Sequence, residues 1–206
     1  MIAIIDYGMG NSGSIKNMLR RLGVASHITS DHQAICEADK LILPGVGAFD
    51  AGMKNLHDRG LAPLLDRRVR EERVPVLGIC LGMQLMTRGS DEGKRPGLGW
   101  IDAEARRFSV PPGSRLKVPH MGWAPVVSRK SSALVAPSNQ DELRFYFVHS
   151  YYIDCHDGAD VLLQASHGNS FVAGFERDNI LGVQFHPEKS HKFGLKLLEN
   201  FATRYR

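Results

Sequence analysis

Two short stretches hold residue types that do chemistry in combination. In VPVLGICLGMQLM (Val74–Met86) one cysteine, Cys80, stands between Gly78 and Gly82 in an otherwise apolar run. A cysteine in such a run is ordinarily an inert core residue. The Gly-x-Cys-x-Gly spacing shifts that balance. With Val74–Cys80 as a strand and Leu81 opening a helix, the glycines permit the sharp turn of a nucleophile elbow, which projects the side chain at its apex. The thiol then stands at a helix N-terminus, where backbone N–H groups favour negative charge on sulfur. Near the other end, His186-Pro187-Glu188 follows the apolar run ILGVQF. In extended chain residues i and i+2 point to one side, so the carboxylate reaches the imidazole, and Pro187 restricts the backbone between them. A thiol nucleophile, an imidazole base and an orienting carboxylate are the parts of a Cys-His-Glu acyl-transfer site.

Acyl transfer also needs donors for an oxyanion. The N–H of Leu81, just past the nucleophile, is one candidate by elbow geometry. PGVG (Pro44–Gly47), with Gly45, Val46 and Gly47, is by default a tight turn, but it closes another strand pattern and can supply a second donor. Strand C-termini of a parallel sheet converge on one edge, which brings this turn toward Cys80. The remaining histidines are dispersed. His27, His32, His57, His156, His167 and His191 stand in polar surroundings and read as surface residues, while His120 and His149 sit beside aromatic or apolar neighbours and read as structural. A rival to the thiol chemistry lies in Gly8-Met9-Gly10-Asn11-Ser12-Gly13, a G-x-G-x-x-G after a strand and before a helix, with Asp31 following the next strand. That is the context of a dinucleotide-binding fingerprint, and it leaves open a nucleotide-binding module in which Cys80 is merely buried.

The elements that must position these residues alternate in the first half. IAIID (Ile2–Asp6), a strand near Ala25–Thr29, KLILPG (Lys40–Gly45) and VPVLGIC read as strands. Between them lie a helix through Ile15, Met18, Leu19 and Leu22 that Gly23 stops, a short helix from Asp31, and helices over Phe49–Arg59 and Leu61–Arg73. Buried strands alternating with helices imply a parallel sheet covered on both faces. From Leu98 the pattern is strand-rich: WIDAEARRF, FYFVHSYYI, VLLQAS, FVAGFER and ILGVQF, then a closing helix over Ser190–Arg204. Pro111–Arg115 and Ser128–Gln140 read as surface loops. The expectation is a doubly wound α/β fold with a mostly parallel central sheet, helices on both faces and a strand-rich C-terminal half, in one domain over residues 1–206.

Composition bounds the partners. With 43% hydrophobic and 23% charged residues the chain has an ordinary globular composition, and no apolar run approaches a membrane span. The N-terminus enters strand-like sequence without a signal-peptide pattern, so a cytoplasmic protein is expected. Three scattered cysteines, Cys36, Cys80 and Cys155, make neither a disulfide framework nor a metal-ligand cluster. No metal or cofactor is expected. The net charge of +4 comes in short pairs such as Arg20-Arg21, Arg67-Arg68 and Arg106-Arg107, which suit solvated helix faces better than a nucleic-acid surface.

Taken together, IDYGMGN (Ile5–Asn11), KLILPGVGAF (Lys40–Phe49), GICLGMQL (Gly78–Leu85), GLGWI (Gly97–Ile101), VPHMGW (Val118–Trp123), FYFVHSYY (Phe145–Tyr152) and GVQFHPEKS (Gly182–Ser190) resemble the class I, triad-type glutamine amidotransferases, with a flavodoxin-like fold. Within that family they are most similar to the glutaminase subunits of imidazole glycerol phosphate synthase. The resemblance runs nearly end to end. It implies that Cys80 attacks the side-chain amide of L-glutamine, that His186 moves the proton and Glu188 orients it, and that the thioester is hydrolysed to glutamate with release of ammonia. It further implies glutamine contacts at Gly82, Gln84, His149, Ser150 and Tyr151, and an oxyanion donor from Gly45–Gly47. For Met9, Asn11, Met121, Trp123 and Lys189 it implies contact with a (β/α)8-barrel cyclase subunit, in a heterodimer that channels ammonia into histidine biosynthesis. In such subunits the IDYGMGN turn faces the partner and binds no nucleotide, which makes Gly13 incidental. The wordings GSIKNML, GLGWIDA and EKSHKFG also resemble a paralogous branch that supplies ammonia for an amidino sugar in surface-polysaccharide synthesis.

Overall fold

The computed structural model describes residues 1–110, 113–114, 116–135 and 142–205. The first half is the expected alternation: β1 (Ile2–Ile5), α1 (Ser12–Arg21), β2 (Ser26–Thr29), α2 (His32–Cys36), β3 (Lys40–Gly45), α3 (Phe49–Asp58), α4 (Leu61–Asp66), β4 (Val76–Cys80) and α5 (Leu81–Leu85). Then come β5 (Gly89–Ser90), β6 (Ala103–Arg107), β7 (His120–Pro125), β8 (Val127–Ser128), β9 (Arg144–His149), β10 (Tyr151–Cys155), β11 (Val161–His167), β12 (Asn169–Arg177), β13 (Ile180–Val183) and α6 (His191–Arg204).

One 11-stranded sheet has the order β2-β1-β3-β4-β13-β12-β10-β6-β5, with β11 on β12 and β8 on β11. Strands β2, β1, β3, β4 and β13 run parallel, and β12 turns the sheet antiparallel. The side chains of β1 show why the run is apolar throughout. Ala3 and Ile5 enter the core under α3 and α4, whereas Ile2 and Ile4 enter the one beneath α1 and α6. Strand period two delivers successive residues to opposite faces, and both faces are covered. Local signals end the helices where expected. The Asn11 side chain accepts from Ser14 N at 3.4 Å to cap α1, and Gly23 takes φ +71° just past its end.

Several sequence-level expectations are corrected. FYFVHSYYI is not one strand: it breaks at Ser150, and its first half, β9, leaves the main sheet to pair with β7 in a separate two-stranded sheet. The physical reason is burial, since Phe145 and Phe147 alternate into the apolar core beneath α1 and α6, while Ile153 of β10 enters the opposite core. The VPHMGWAP segment, not expected as a strand, supplies β7. The helix over Leu61–Arg73 is α-helical only to Asp66 and continues as a π turn, Arg67–Glu71, where Arg68 is buried and donates to the Ala38 carbonyl at 2.6 Å. Of WIDAEARRF only Ala103–Arg107 is strand, and Trp100 is instead buried with Nε1 donating to Asp66 at 2.9 Å. The loop expected over Ser128–Gln140 begins as β8, and its Leu134 and Val135 are buried. Pro111, Pro112, Arg115 and residues 136–140 of the two expected loops lie outside the described residues. Among the described residues no helix is long and apolar enough to cross a membrane.

Candidate active site

Three neighbouring parallel strands bring the chemistry to one sheet edge. Gly45 at the end of β3 is in register with Cys80 at the end of β4, and Val183 of β13 is in register with Ile79. Cys80 has φ +54°, rare for a non-glycine residue, and α5 starts at the next residue. The elbow thus exists, and its strain is held by close packing. A Cβ on Gly82 would lie 1.8 Å from the Leu43 carbonyl oxygen, and one on Gly78 would lie 2.8 Å from the backbone of Met83. Gly82, expected as a glutamine contact, therefore serves to let α5 lie on β3 and does not line the cavity.

Cys80, Leu81, Gln84, His149, Ser150, Tyr151, His186 and Lys189 line one cavity of about 340 Å³ together with Val46, Gly47 and Glu92. His186 Nδ1 donates to Glu188 Oε1 at 2.8 Å, and both side chains are almost wholly buried. The turn that carries them is anchored from two sides. His186 N donates to the Tyr146 carbonyl at 2.9 Å, and Ser190 Oγ donates to the His186 carbonyl at 2.7 Å while accepting from Tyr146 N. The other ring nitrogen, Nε2, is buried without a hydrogen bond, which leaves it to the thiol that shares the cavity. Burial opposes charge on this imidazole, but the sulfur of Cys80 and the Glu188 carboxylate outweigh it and push its pKa up to about 10. The arrangement holds a nucleophile beside an imidazolium that a carboxylate orients, which suits attack on an acyl carbon.

The PGVG turn borders the cavity that holds Cys80. Gly47 takes φ +114° and Val46 is exposed at the cavity mouth. Gly45 is buried, and a Cβ there would lie 2.5 Å from the Tyr7 hydroxyl, which itself donates to the Pro44 carbonyl at 2.7 Å. The glycine-rich rival is resolved locally. Asp31 spends its carboxylate on capping α2, accepting from Ala34 N at 2.8 Å, and Gly13 meets no neighbour at its Cβ position. Gly10 packs against the backbone of Pro44 and Gly45, and the Met9 side chain meets Gly47, so this turn buttresses PGVG. Asn11 is exposed and caps α1. Met121 and Trp123 are 62% and 40% exposed on β7, a large apolar area beside the cavity, and Lys189 lies 5.7 Å above the Tyr146 ring next to it.

Two features escaped sequence reading. Glu92 lies in a polar turn that resembled any loop, yet it lines the cavity and accepts from Phe49 N at 2.8 Å. The Asp50 carboxylate holds the same loop by accepting from Lys94 N and Arg95 N, each at 3.0 Å. His167, expected at the surface, stacks on His120 at 4.4 Å and donates to the Lys117 carbonyl at 2.9 Å. His120 Nδ1 in turn meets His149 Nε2 at 3.1 Å. Burial holds the pKa of His120 down to about 4 and that of His149 to about 3, so both rings are neutral, His149 in the cavity wall and His120 behind it. Among the described residues no group of three or more His, Cys, Asp or Glu side chains is placed to hold a metal ion.

The model of the class-I glutamine amidotransferase family matches residues 3–205. The chain belongs to that family. It is 51% identical over 205 residues to imidazole glycerol phosphate synthase subunit HisH 2 of Methanococcus maripaludis, covering 98% of each chain. It is 49% identical over 202 residues to subunit HisH 2 of Pseudomonas aeruginosa, again covering 98% of each, and 42% identical over 204 residues to subunit HisH of Leptospira interrogans, covering 98% and 100%. Among solved structures, PurLQS from Thermotoga maritima superposes with a TM-score of 0.73 at 16% identity, over 97% of this chain and 96% of that one. The glutaminase domain of Trypanosoma brucei CTPS, with bound acivicin, gives 0.64 at 17% identity over 100% and 94%. These likenesses establish the fold of a class-I amidotransferase, and the sequence relatives establish the family.

Proposed function

We propose that this glutamine amidotransferase is the glutaminase subunit of an imidazole glycerol phosphate synthase. In this reading His186 has taken the thiol proton, and the Cys80 thiolate attacks the side-chain amide carbon of L-glutamine. The oxyanion is held by the N–H of Leu81 and by a donor from the Gly45–Gly47 turn. Collapse of the tetrahedral intermediate breaks the C–N bond, and His186 protonates the departing ammonia. Water, deprotonated by the same ring, hydrolyses the thioester to glutamate and restores the thiol. Glu188 keeps Nδ1 protonated and steadies the imidazolium. Gln84, Ser150 and Tyr151 meet the amino-acid end of the substrate, and the Glu92 carboxylate offers the negative charge that an α-ammonium group requires. Released ammonia passes to a (β/α)8-barrel cyclase docked over Met121, Trp123, Lys189, Met9 and Asn11.

The observation that carries the pathway is the 51% identity to a subunit of that synthase over 98% of both chains. The paralogous sugar-pathway reading is supported by the wordings GSIKNML, GLGWIDA and EKSHKFG. The experiment is glutamate release by the purified chain, alone and with the barrel cyclase and its phosphoribosyl-formimino nucleotide substrate. Hydrolysis is expected to be weak alone, to rise with the liganded cyclase, and to vanish in Cys80→Ser. Stimulation by a sugar-pathway amidotransferase, and none by the cyclase, would move the ammonia to the second pathway.

A further inference from the structure

A chain of hydrogen bonds runs from the cavity wall to the nucleophile, and a backbone carbonyl dictates its polarity. The Tyr151 carbonyl oxygen can only accept. It receives His149 Nδ1 at 2.7 Å and Gln84 Nε2 at 3.4 Å. The amide of Gln84 therefore faces it with its NH2 group, because the flipped amide would set oxygen against oxygen. The second N–H of that group goes to Gln184 Oε1 at 3.2 Å. This in turn orients Gln184, whose oxygen points to Gln84 and whose NH2 group points to Cys80 Sγ at 3.7 Å. Gln84 is 5% exposed and Gln184 0%, so solvent offers neither amide an alternative partner. A buried glutamine in an otherwise apolar strand end is costly unless both ends of its amide are satisfied, and here one end is satisfied by the nucleophile itself.

We propose that Gln184 is a catalytic residue of this site, donating an N–H to the Cys80 sulfur. The inference rests on the reading of Cys80 as the nucleophile. Gln184 exchanges no proton and forms no bond to substrate. Its hydrogen bond is strongest to thiolate, weakens as sulfur gives its electron pair to the acyl carbon, and returns when water releases the thioester. A neutral donor suits this place better than a cation would, because it holds the sulfur without weakening the proton affinity of His186. It also directs the side chain of Cys80 between the His186 ring and the oxyanion donors, so that attack starts from one rotamer.

The test compares Gln184→Glu and Gln184→Leu in the full chain, assayed with its partner and nucleotide. Loss of one hydrogen bond to a charged atom is expected to lower kcat about 10- to 100-fold, with KM for glutamine nearly unchanged because Gln184 does not contact substrate. Iodoacetamide labelling, followed residue by residue by peptide mass spectrometry, is expected to slow about tenfold at Cys80 and its rate profile to move to higher pH. Labelling at Cys36 in the same sample is the internal reference. A purely structural glutamine would leave the Cys80 labelling profile in place. Should Gln184→Leu fail to fold, Gln184→Glu, which keeps the volume and replaces the donor by an acceptor, carries the test alone. Labelling profiles and kcat in Gln184→Glu that coincide with those of the parent overturn the proposal. Full activity in Cys80→Ser would instead overturn the nucleophile reading beneath it.

Discussion

At the scale of single residues the site depends on two buried contacts that do different work. The His186–Glu188 bond sets the charge on the ring, while the Gln184 amide, itself held by that of Gln84, meets the Cys80 sulfur. The first has a pH signature whose sign follows from linkage. The pKa of His186 is raised in the folded chain to about 10, above its unfolded value of about 6.5. Its stabilising contribution is therefore complete below the unfolded value and is lost as pH rises through about 10. In Glu188→Gln the ring loses one of its two negative neighbours. Histidine NMR should show the His186 titration moving to lower pH, and kcat should fall about 100-fold as the base loses its orienter. Urea unfolding should find the stability gap between parent and variant wider below about pH 6.5 and closing as pH rises through about 10. A ring titration that stays in place would show that Glu188 does not govern it.

At the scale of elements, the elbow and the His186 turn are held by glycines that give up their side chains to close contact. The closest approaches lie where helices meet neighbouring backbone: a Cβ on Gly82 would lie 1.8 Å from the Leu43 oxygen, and one on Gly194 would lie 1.8 Å from the Pro187 oxygen. Gly194 thus lets the first turn of α6 lie against the turn that carries His186 and Glu188. Each neighbour is backbone, so it cannot swing aside. Gly82→Ala and Gly194→Ala are each expected to cost about 3 kcal/mol in urea unfolding, and Gly194→Ala to lower kcat further by displacing the base. By contrast, Gly13→Ala should be neutral or slightly stabilising, since nothing stands near its Cβ position and α1 gains a better helix former. Equal melting of the Gly13→Ala and Gly82→Ala variants would contradict the packing described.

At the scale of the molecule the catalytic edge and the exposed apolar face are contiguous. Strand β7 carries Met121 and Trp123 outward, and Trp123 stacks on His191 at 5.6 Å, two residues beyond Lys189 of the cavity rim. A partner seated there would lie over the cavity mouth. Trp123→Ala is expected to weaken binding of the barrel partner by about 2 kcal/mol, roughly 30-fold, while glutamate release by the isolated chain stays at its basal rate. Calorimetric titration with the partner measures the first and the uncoupled assay the second. Unchanged affinity would move the interface elsewhere.

Much of this was legible in residue pattern because it is local. A cysteine between glycines at a strand end, a histidine and a glutamate across a proline, and apolar runs alternating with amphipathic ones depend on neighbours a few positions away, and the structure contains each of them. What only the tertiary structure decided are matters between distant segments. Glu92 gained a place in the cavity when its loop was bound to the start of α3, and His167 became half-buried because a ring forty-seven residues earlier, that of His120, stacked upon it. The strand FYFVHSYYI broke at Ser150 because β9 pairs with β7 and buries Phe145 and Phe147 in one core, whereas β10 joins the main sheet with Ile153 in the other, a choice that strand periodicity alone leaves undecided. Gln184 looked like any polar residue at a strand end. Its meaning came from register, which set β13 beside β4 and brought an amide one hundred positions from its partner Gln84 against the sulfur. Sequence periodicity and turn chemistry thus determined most elements of the first half and which residues carry reactive groups, since both arise from interactions within a few residues. Which buried polar atoms face one another was decided by the packed sheet, because only there are distant donors and acceptors deprived of water and forced to find each other.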